Sequence, residues 1–497
     1  MKRHFLAFIA LVLFAVPALA ADIKNLDLGK HAEVWFAEDH TVPIVAVAAA
    51  MPAGSAYDPG DKPGLASFAA SLIDEGAGSM DSKAFHEALA DRAIQFRAGV
   101  ERDYLVVSVV TLTENLPEAM RLLQTALTRP RFDPEAVSRV RTQILQSLAQ
   151  AESQPPNVAR RAFARTFFNG HPYGHPSEGD AASIQAITLE DLKGFAKSHW
   201  VRGGIEISVA GDITAAAATK LIADTFKPVP ETTPPPLPPI GKLGQPGVHV
   251  SDMPVPQPTV IFGLPGIMRQ DPDFIAGYVA NYIVGGGGFS SRLTDEVRVK
   301  RGLTYGIETS LTAFNRASIM QGSVATRADA VRQTIAVVRD TMAKFAAGGA
   351  TQAELDDAKT FLTGSFPLAF ASNAGIASQL NTFQRQGLDI GYVARRNGLI
   401  QAVTLDDIKR VAKKLYDPAR LTVVVAGTPA EGRSAPEQPK VPVRPTPPLA
   451  GSSGTSANSA ATGSGTTAPV PPPGVRPAVK PVVKQPVPPA KPATPGP

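Results

Sequence analysis

Metal and nucleophile chemistry depends on a few side chains, and this chain supplies few of them in useful patterns. There is no cysteine among the 497 residues, which excludes thiolate catalysis and cysteine-ligated metal. His171 and His175 have the spacing that unites two imidazoles on one helix face. Their segment reads Asn-Gly-His-Pro-Tyr-Gly-His-Pro, and Pro172, Gly174 and Pro176 forbid a helix there. His31, His40, His86, His199 and His249 are scattered. Residues 63–76, PGLASFAASLIDEG, predict a short helix with Asp61 as N-cap, Pro63 in the first turn, and Gly76 and Gly78 as stop signals. One face of that helix carries Ser67, Ala70 and Ser71, and neither a neutral hydroxyl nor a methyl group ligates zinc. Further on, Gly285, Gly286, Gly287 and Gly288 precede Phe-Ser-Ser-Arg-Leu, then Arg298 and Tyr305. The glycines suit a tight loop. Without Gly-Lys-Ser/Thr it is not a phosphate loop. A guanidinium and a phenol O–H are both good donors toward developing negative charge. The structural alternative pairs Arg298 with Asp295 and puts Tyr305 in a strand core.

The elements that position these residues follow from periodicity. In the first part of the chain, strands fit 32–36, 43–51, 94–100 and 104–111. Helices fit 63–74, 82–93, 115–128, 134–152 and 156–168. In the second part, strands fit 248–252, 257–264, 303–311 and 317–324. Its helices fit 272–284, 290–300, 327–347, 351–365 and 371–386. The two parts are copies. Thr-Leu-Glu-Asp-Leu-Lys from Thr188 and Val-Ala-Gly from Val209 recur as Thr-Leu-Asp-Asp-Ile-Lys from Thr404 and Val-Ala-Gly from Val425. In each copy a helix (189–198, 405–415) leads into a β-rich run (205–210, 421–426). The same offset lays Pro-Ile-Val-Ala from Pro43 onto Thr-Val-Ile-Phe from Thr259. A repeat of this size predicts an α+β chain of two duplicated halves. Each would be a mostly antiparallel sheet with helices packed on one side, and the halves would face each other as a clamshell.

Composition sets the boundaries. Lys2 and Arg3, an apolar run too short to span a bilayer, and Ala-Leu-Ala at 18–20 read as a cleaved signal peptide over 1–20. The expected address is the periplasm. The first half then occupies 21–226, and a stiff Pro-rich linker 227–247. The second half occupies 248–430, and a Pro-, Ala-, Gly- and Ser-rich tail 431–497 has no means of forming a core. Lys480, Lys484 and Lys491 in that tail are spaced to touch an anionic surface, though a solvated tail is the simpler reading. The net charge of +5 misleads. With Lys2, Arg3 and the charges beyond residue 430 set aside, 40 basic and 42 acidic residues remain. That balance gives no case for nucleic acid.

The 63–76 stretch resembles the opening motif of the pitrilysin/insulinase (inverzincin) zinc peptidases. Their pattern runs Gly-Leu-Ala-His-Phe-x-Glu-His, with His-x-x-Glu-His as two ligands and a base. Gly64, Leu65, Ala66 and Phe68 fit. Ser67 and Ser71 stand at the ligand positions and Ala70 at the base. The family's third ligand, a Glu on a long helix, falls at Gln146 or Ser147; the nearest Glu is Glu152. The stretch from Gly285 to Tyr305 is similar to the second-half motif Gly-Gly-Phe-Ser-Ser-Arg-Leu…Glu-Val-Arg…Arg-Gly-Leu-x-Tyr. In the family, that Arg and Tyr hold the substrate carbonyl and steady the oxyanion. The resemblance therefore implies a zinc-free subunit of a heterodimeric metallopeptidase. Arg298 and Tyr305 would act in trans, and the loop 285–288 would bind substrate. Zinc would belong to a His-x-x-Glu-His partner and not to this chain. The competing implication is a non-enzymatic scaffold or peptide-binding protein, alone or as a homodimer. A self-sufficient peptidase would need ligands the sequence does not show.

Overall fold

The computed structural model describes residues 22–27 and 32–429; the expected signal segment, His31 and the tail lie outside these residues. The first half contains β1 (Ile23–Asp27), β2 (Ala32–Glu38), β3 (Ile44–Met51), α1 (Leu65–Ala70), β4 (Gly76–Ala77), β5 (Met80–Asp81) and α2 (Ser82–Ala90). It continues with β6 (Gln95–Val100), β7 (Leu105–Leu112), α3 (Leu116–Thr128), α4 (Pro134–Glu152) and α5 (Pro155–Phe168). It closes with α6 (Ala181–Ala186), α7 (Leu189–His199), β8 (Ile205–Gly211) and α8 (Ala215–Phe226). Residues 230–246 form no helix or strand. The second half contains β9 (Gly247–Ser251), β10 (Thr259–Pro265), α9 (Phe274–Asn281), β11 (Ile307–Ala313) and β12 (Ser318–Ala325). After them come α10 (Val331–Gly348), α11 (Gln352–Gly364), α12 (Asn373–Arg385), α13 (Tyr392–Gln401), α14 (Leu405–Leu415) and β13 (Thr422–Ala426).

The duplication is realised down to single hydrogen bonds. Thr188 and Thr404 each accept at the hydroxyl from the backbone N–H three residues on. Asp191 and Asp407 return the bond to the threonine N–H, so α7 and α14 start on identical capping boxes. The sheets share one topology. The first runs β1-β2-β8-β3-β7-β6 and the second β9-β13-β10-β12-β11, reading from the corresponding edge. In each, one pair is parallel, β2 with β8 in the first and β9 with β13 in the second, and the other pairs are antiparallel. Only the first sheet has an additional edge strand, β1.

Alternation along the strands gives each sheet two apolar faces. Val34, Phe36, Val45, Val47, Ile207 and Val209 face the first half's own helices. The opposite face carries Trp35 and the smaller Ala37, Ala46, Ala48 and Ala210, and there Ile376, Ala377, Leu380 and Phe383 of α12 settle. The converse holds in the second half, where Ile261, Ile319, Val424 and Ala426 pack against Ala159, Phe163, Ala164 and Phe167 of α5. Each half keeps its own helices on one side, as expected, and receives one helix from the other half on the second side.

Candidate functional site

The second-half motif begins where α9 runs into a π-helical turn, Tyr282–Gly286. The glycines then bring backbone close to neighbours. A Cβ at Gly285 would stand 2.5 Å from Thr309 Oγ1, and one at Gly287 would stand 2.9 Å from the Tyr282 carbonyl. Gly288 has φ +57° with open space around it. Ser291 then accepts at Oγ from the Thr294 N–H at 3.4 Å, as a capping serine does. The stretch expected as α-helix over 290–300 is largely a π-helical turn, Thr294–Val299, a form often found at functional sites. Gly302, at φ +59°, ends it.

Arg298 lies in that turn. Its guanidinium has no hydrogen bond or ion pair among the described residues and rests over the Phe289 ring, 4.4 Å from the centroid. The expected alternative, pairing with Asp295, is not realised, because Lys300 takes Asp295 at 2.7 Å. Lys300 and Arg301 also take Glu296. Tyr305 is no strand residue either. It stands two positions before β11 and is 87% exposed, and Phe289 is 74% exposed. Arg292, in the same motif, is fully engaged. It makes a two-pronged pair with Glu354 at 2.6 and 2.7 Å and donates to the Gly349 carbonyl. Burial works to raise the Glu354 carboxyl, but Arg292 and the Thr351 donors hold it down to about 2.

At the degenerate motif, α1 is shorter than expected, spanning Leu65–Ala70. Asp61 is not its cap. Asp58, buried, accepts from Gly64 N–H and Ala66 N–H, both at 2.7 Å. Burial pushes Asp58 up to about 7 against those two donors. Gly64, at φ +92°, lies so close to Gly179 that a Cβ would be 2.8 Å from its backbone. This fold-back lets the Ser67 hydroxyl donate to the Ser177 carbonyl at 2.6 Å. Ser71 donates to the Ser67 carbonyl at 2.8 Å, and Ala70 is buried. Gln146 and Ser147 on α4 are exposed. These side chains do not fit zinc, and among the described residues no three His, Asp or Glu side chains form a metal-holding group.

Sequence reasoning missed the Tyr173 junction. Tyr173 donates to Asp103 at 2.5 Å, and Asp103 accepts from the Asn315 N–H at 3.0 Å. The Arg316 N–H donates to the Tyr173 oxygen at 3.1 Å, which ties the β11–β12 turn to the first half. Its signal is the His-Pro-Tyr-Gly loop, where Pro172, Gly174 and Pro176 forbid the helix that would unite His171 and His175. Both His171 nitrogens have structural partners instead, the Tyr173 N–H and the Pro238 carbonyl.

Two duplicated sheet-and-helix halves, with a peptidase-like helix stripped of ligands, define a non-catalytic protein built on a peptidase frame. Residues 33–181 match the family model for insulinase (peptidase family M16). Residues 186–362 match the peptidase M16 inactive domain. Together they take in more than half of the chain, which belongs to this family. It is similar to the non-peptidase homolog YmxG of Helicobacter pylori, at 27% identity over 428 residues, 86% of this chain and 98% of that protein. An uncharacterized zinc protease of Streptomyces coelicolor is 25% identical over 326 residues, 64% of this chain and 71% of that one. The crystal structure of a peptidase M16 inactive domain from Pseudomonas fluorescens superposes with a TM-score of 0.79 at 29% identity, covering 84% of this chain and all of that one. A Helicobacter pylori protease structure shares the fold, with a TM-score of 0.74 at 18% identity over 82% of this chain and all of that one.

Proposed function

We propose that the chain is the zinc-free subunit of a heterodimeric periplasmic metallopeptidase, in which it binds peptide and stabilises the oxyanion. The carrying observation is the pair of uncommitted donors. Among the described residues Arg298 has no charged partner, the acids beside it are taken, and Tyr305 projects into solvent. The partner would supply the metal-activated water and the general base. This chain's part is to hold the scissile carbonyl by the Arg298 guanidinium and the Tyr305 hydroxyl, and to offer the loop 285–288 to the peptide backbone. Donors set in advance around a developing charge lower the barrier without reorganisation. Among the described residues no helix is long and apolar enough to cross a membrane, which is compatible with a periplasmic address.

The test is a pull-down of the tagged chain from its native host, followed by assay of the reconstituted pair. Arg298→Ala and Tyr305→Phe should each lower kcat by about 10²–10³ with little change in assembly. Unchanged turnover would remove the composite site. A chain that elutes alone and inert would favour the scaffold reading, to which the name of the Helicobacter pylori relative lends weight.

A further inference from the structure

The two exchanged helices are seated differently, and the difference centres on Glu206. On the α12 face of β8, the Ser208 hydroxyl donates to the Ala377 carbonyl at 2.6 Å. Glu206 follows two residues away on the same face, and Asn381 follows one turn along α12. Asn381 Nδ2 donates to the Glu206 carbonyl at 2.9 Å. Gln384 Nε2 donates at 2.9 Å to the carbonyl of Glu33, which pairs with Glu206 across β2 and β8. Asn381 and Gln384 are 1% and 3% exposed. Their remaining oxygens, Asn381 Oδ1 and Gln384 Oε1, and Glu206 Oε2 are buried without a partner among the described residues. All three are acceptors when the carboxyl is ionised, so none can satisfy another.

One proton on Glu206 accounts for two of the three atoms and leaves Gln384 Oε1 unpaired. We infer that Glu206 is a neutral carboxylic acid whose Oε2–H donates to Asn381 Oδ1, and that its ionisation loosens α12 from the first sheet.

Other groups around the joint agree. Burial pushes Glu206 up to about 8, the nearby Glu33 adds to the rise, and only Arg385 opposes it. Arg385 pairs with Glu101 through Nη1 and donates to Thr382 through Nη2, while its Nε lies buried without a partner among the described residues. Tyr104 accepts from the Asn315 amide and is itself raised by burial, with Glu206 adding to the effect, so it stays an uncharged phenol. On β3 the residue paired with Glu206 is Ala50. The repeat places Thr422 at the corresponding position of the α5 joint, where no proton can be lost in this range.

The sign follows from linkage. The folded chain keeps a proton that the unfolded chain releases near 4.5, so stability falls as pH rises from about 4.5 to about 8 and then levels. Hydrogen exchange on the full chain, corrected for the intrinsic rate, tests this from about pH 6 to about pH 9.5. Protection of α12 should fall by about a hundredfold relative to α5 over that range. In Glu206→Gln, which keeps an N–H donor there, the ratio should stay level. Equal loss of α12 protection in both proteins would overturn the inference. Should the variant fail to fold, the 13C resonance of the Glu206 carboxyl in the wild-type chain decides. A neutral acid at pH 6.5 supports the inference and an ionised one overturns it.

Discussion

Two arginines six positions apart show how environment assigns a role to one residue type. Arg292, part-buried, has a two-pronged carboxylate and a backbone carbonyl; it fixes the motif to α11. Arg298 has an aromatic face and nothing charged. A planar guanidinium tolerates both settings, but only the second leaves its donors for another molecule. Glu354→Gln should therefore destabilise the fold at neutral pH by about 1 kcal/mol, a value kept small because both side chains remain about a quarter exposed to solvent. The lowered Glu354 carboxyl contributes stability above its unfolded value of 4.5 that is lost as pH falls toward about 2. Acid titration of thermal unfolding should show that loss in the wild-type chain and a flatter profile in the variant.

At the scale of elements, the glycine loop separates two requirements. Gly285→Ala forces a methyl group into Thr309 and should cost about 1–3 kcal/mol by thermal or urea unfolding. Gly288→Ala meets no atom and carries only the strain of its positive φ, so it should cost less. A loss of turnover in the reconstituted pair at Gly288 alone would then point to the loop's contact with substrate. Local signals made most elements legible: the repeated segments that begin at Thr188 and Thr404 and lead into helices, and the run 104–111 that forms β7. Where the deciding contact is distant, the sequence is mute. Asp58 caps α1 from outside its neighbourhood, and Asp61, with the better position, makes no such bond. β1 escaped notice because its segment, IKNLD, is half polar. The π-helical turn bearing Arg298 has the side-chain pattern of an α-helix. The buried amides of α12 look like surface residues until the carbonyls they meet in β2 and β8 are known.

At the scale of the whole molecule, the halves are joined by two helices in addition to the linker. Phe163→Ala in α5 should cost about 3–5 kcal/mol, as expected of a buried ring. Because the helix belongs to one half and the sheet to the other, the loss should appear as a single shifted transition in calorimetry. Two separated transitions would show the halves to be independent. The exchange also bears on ancestry. A lone half would leave one face of its sheet bare, and the simplest cover is the same helix from a second copy, each molecule clasping its twin about a two-fold axis. The present chain has the form of that pair of twins fused head to tail. Fused copies are free to diverge: the first half carries Ser67, Ala70 and Ser71 on its short helix, and the second carries Arg298 and Tyr305.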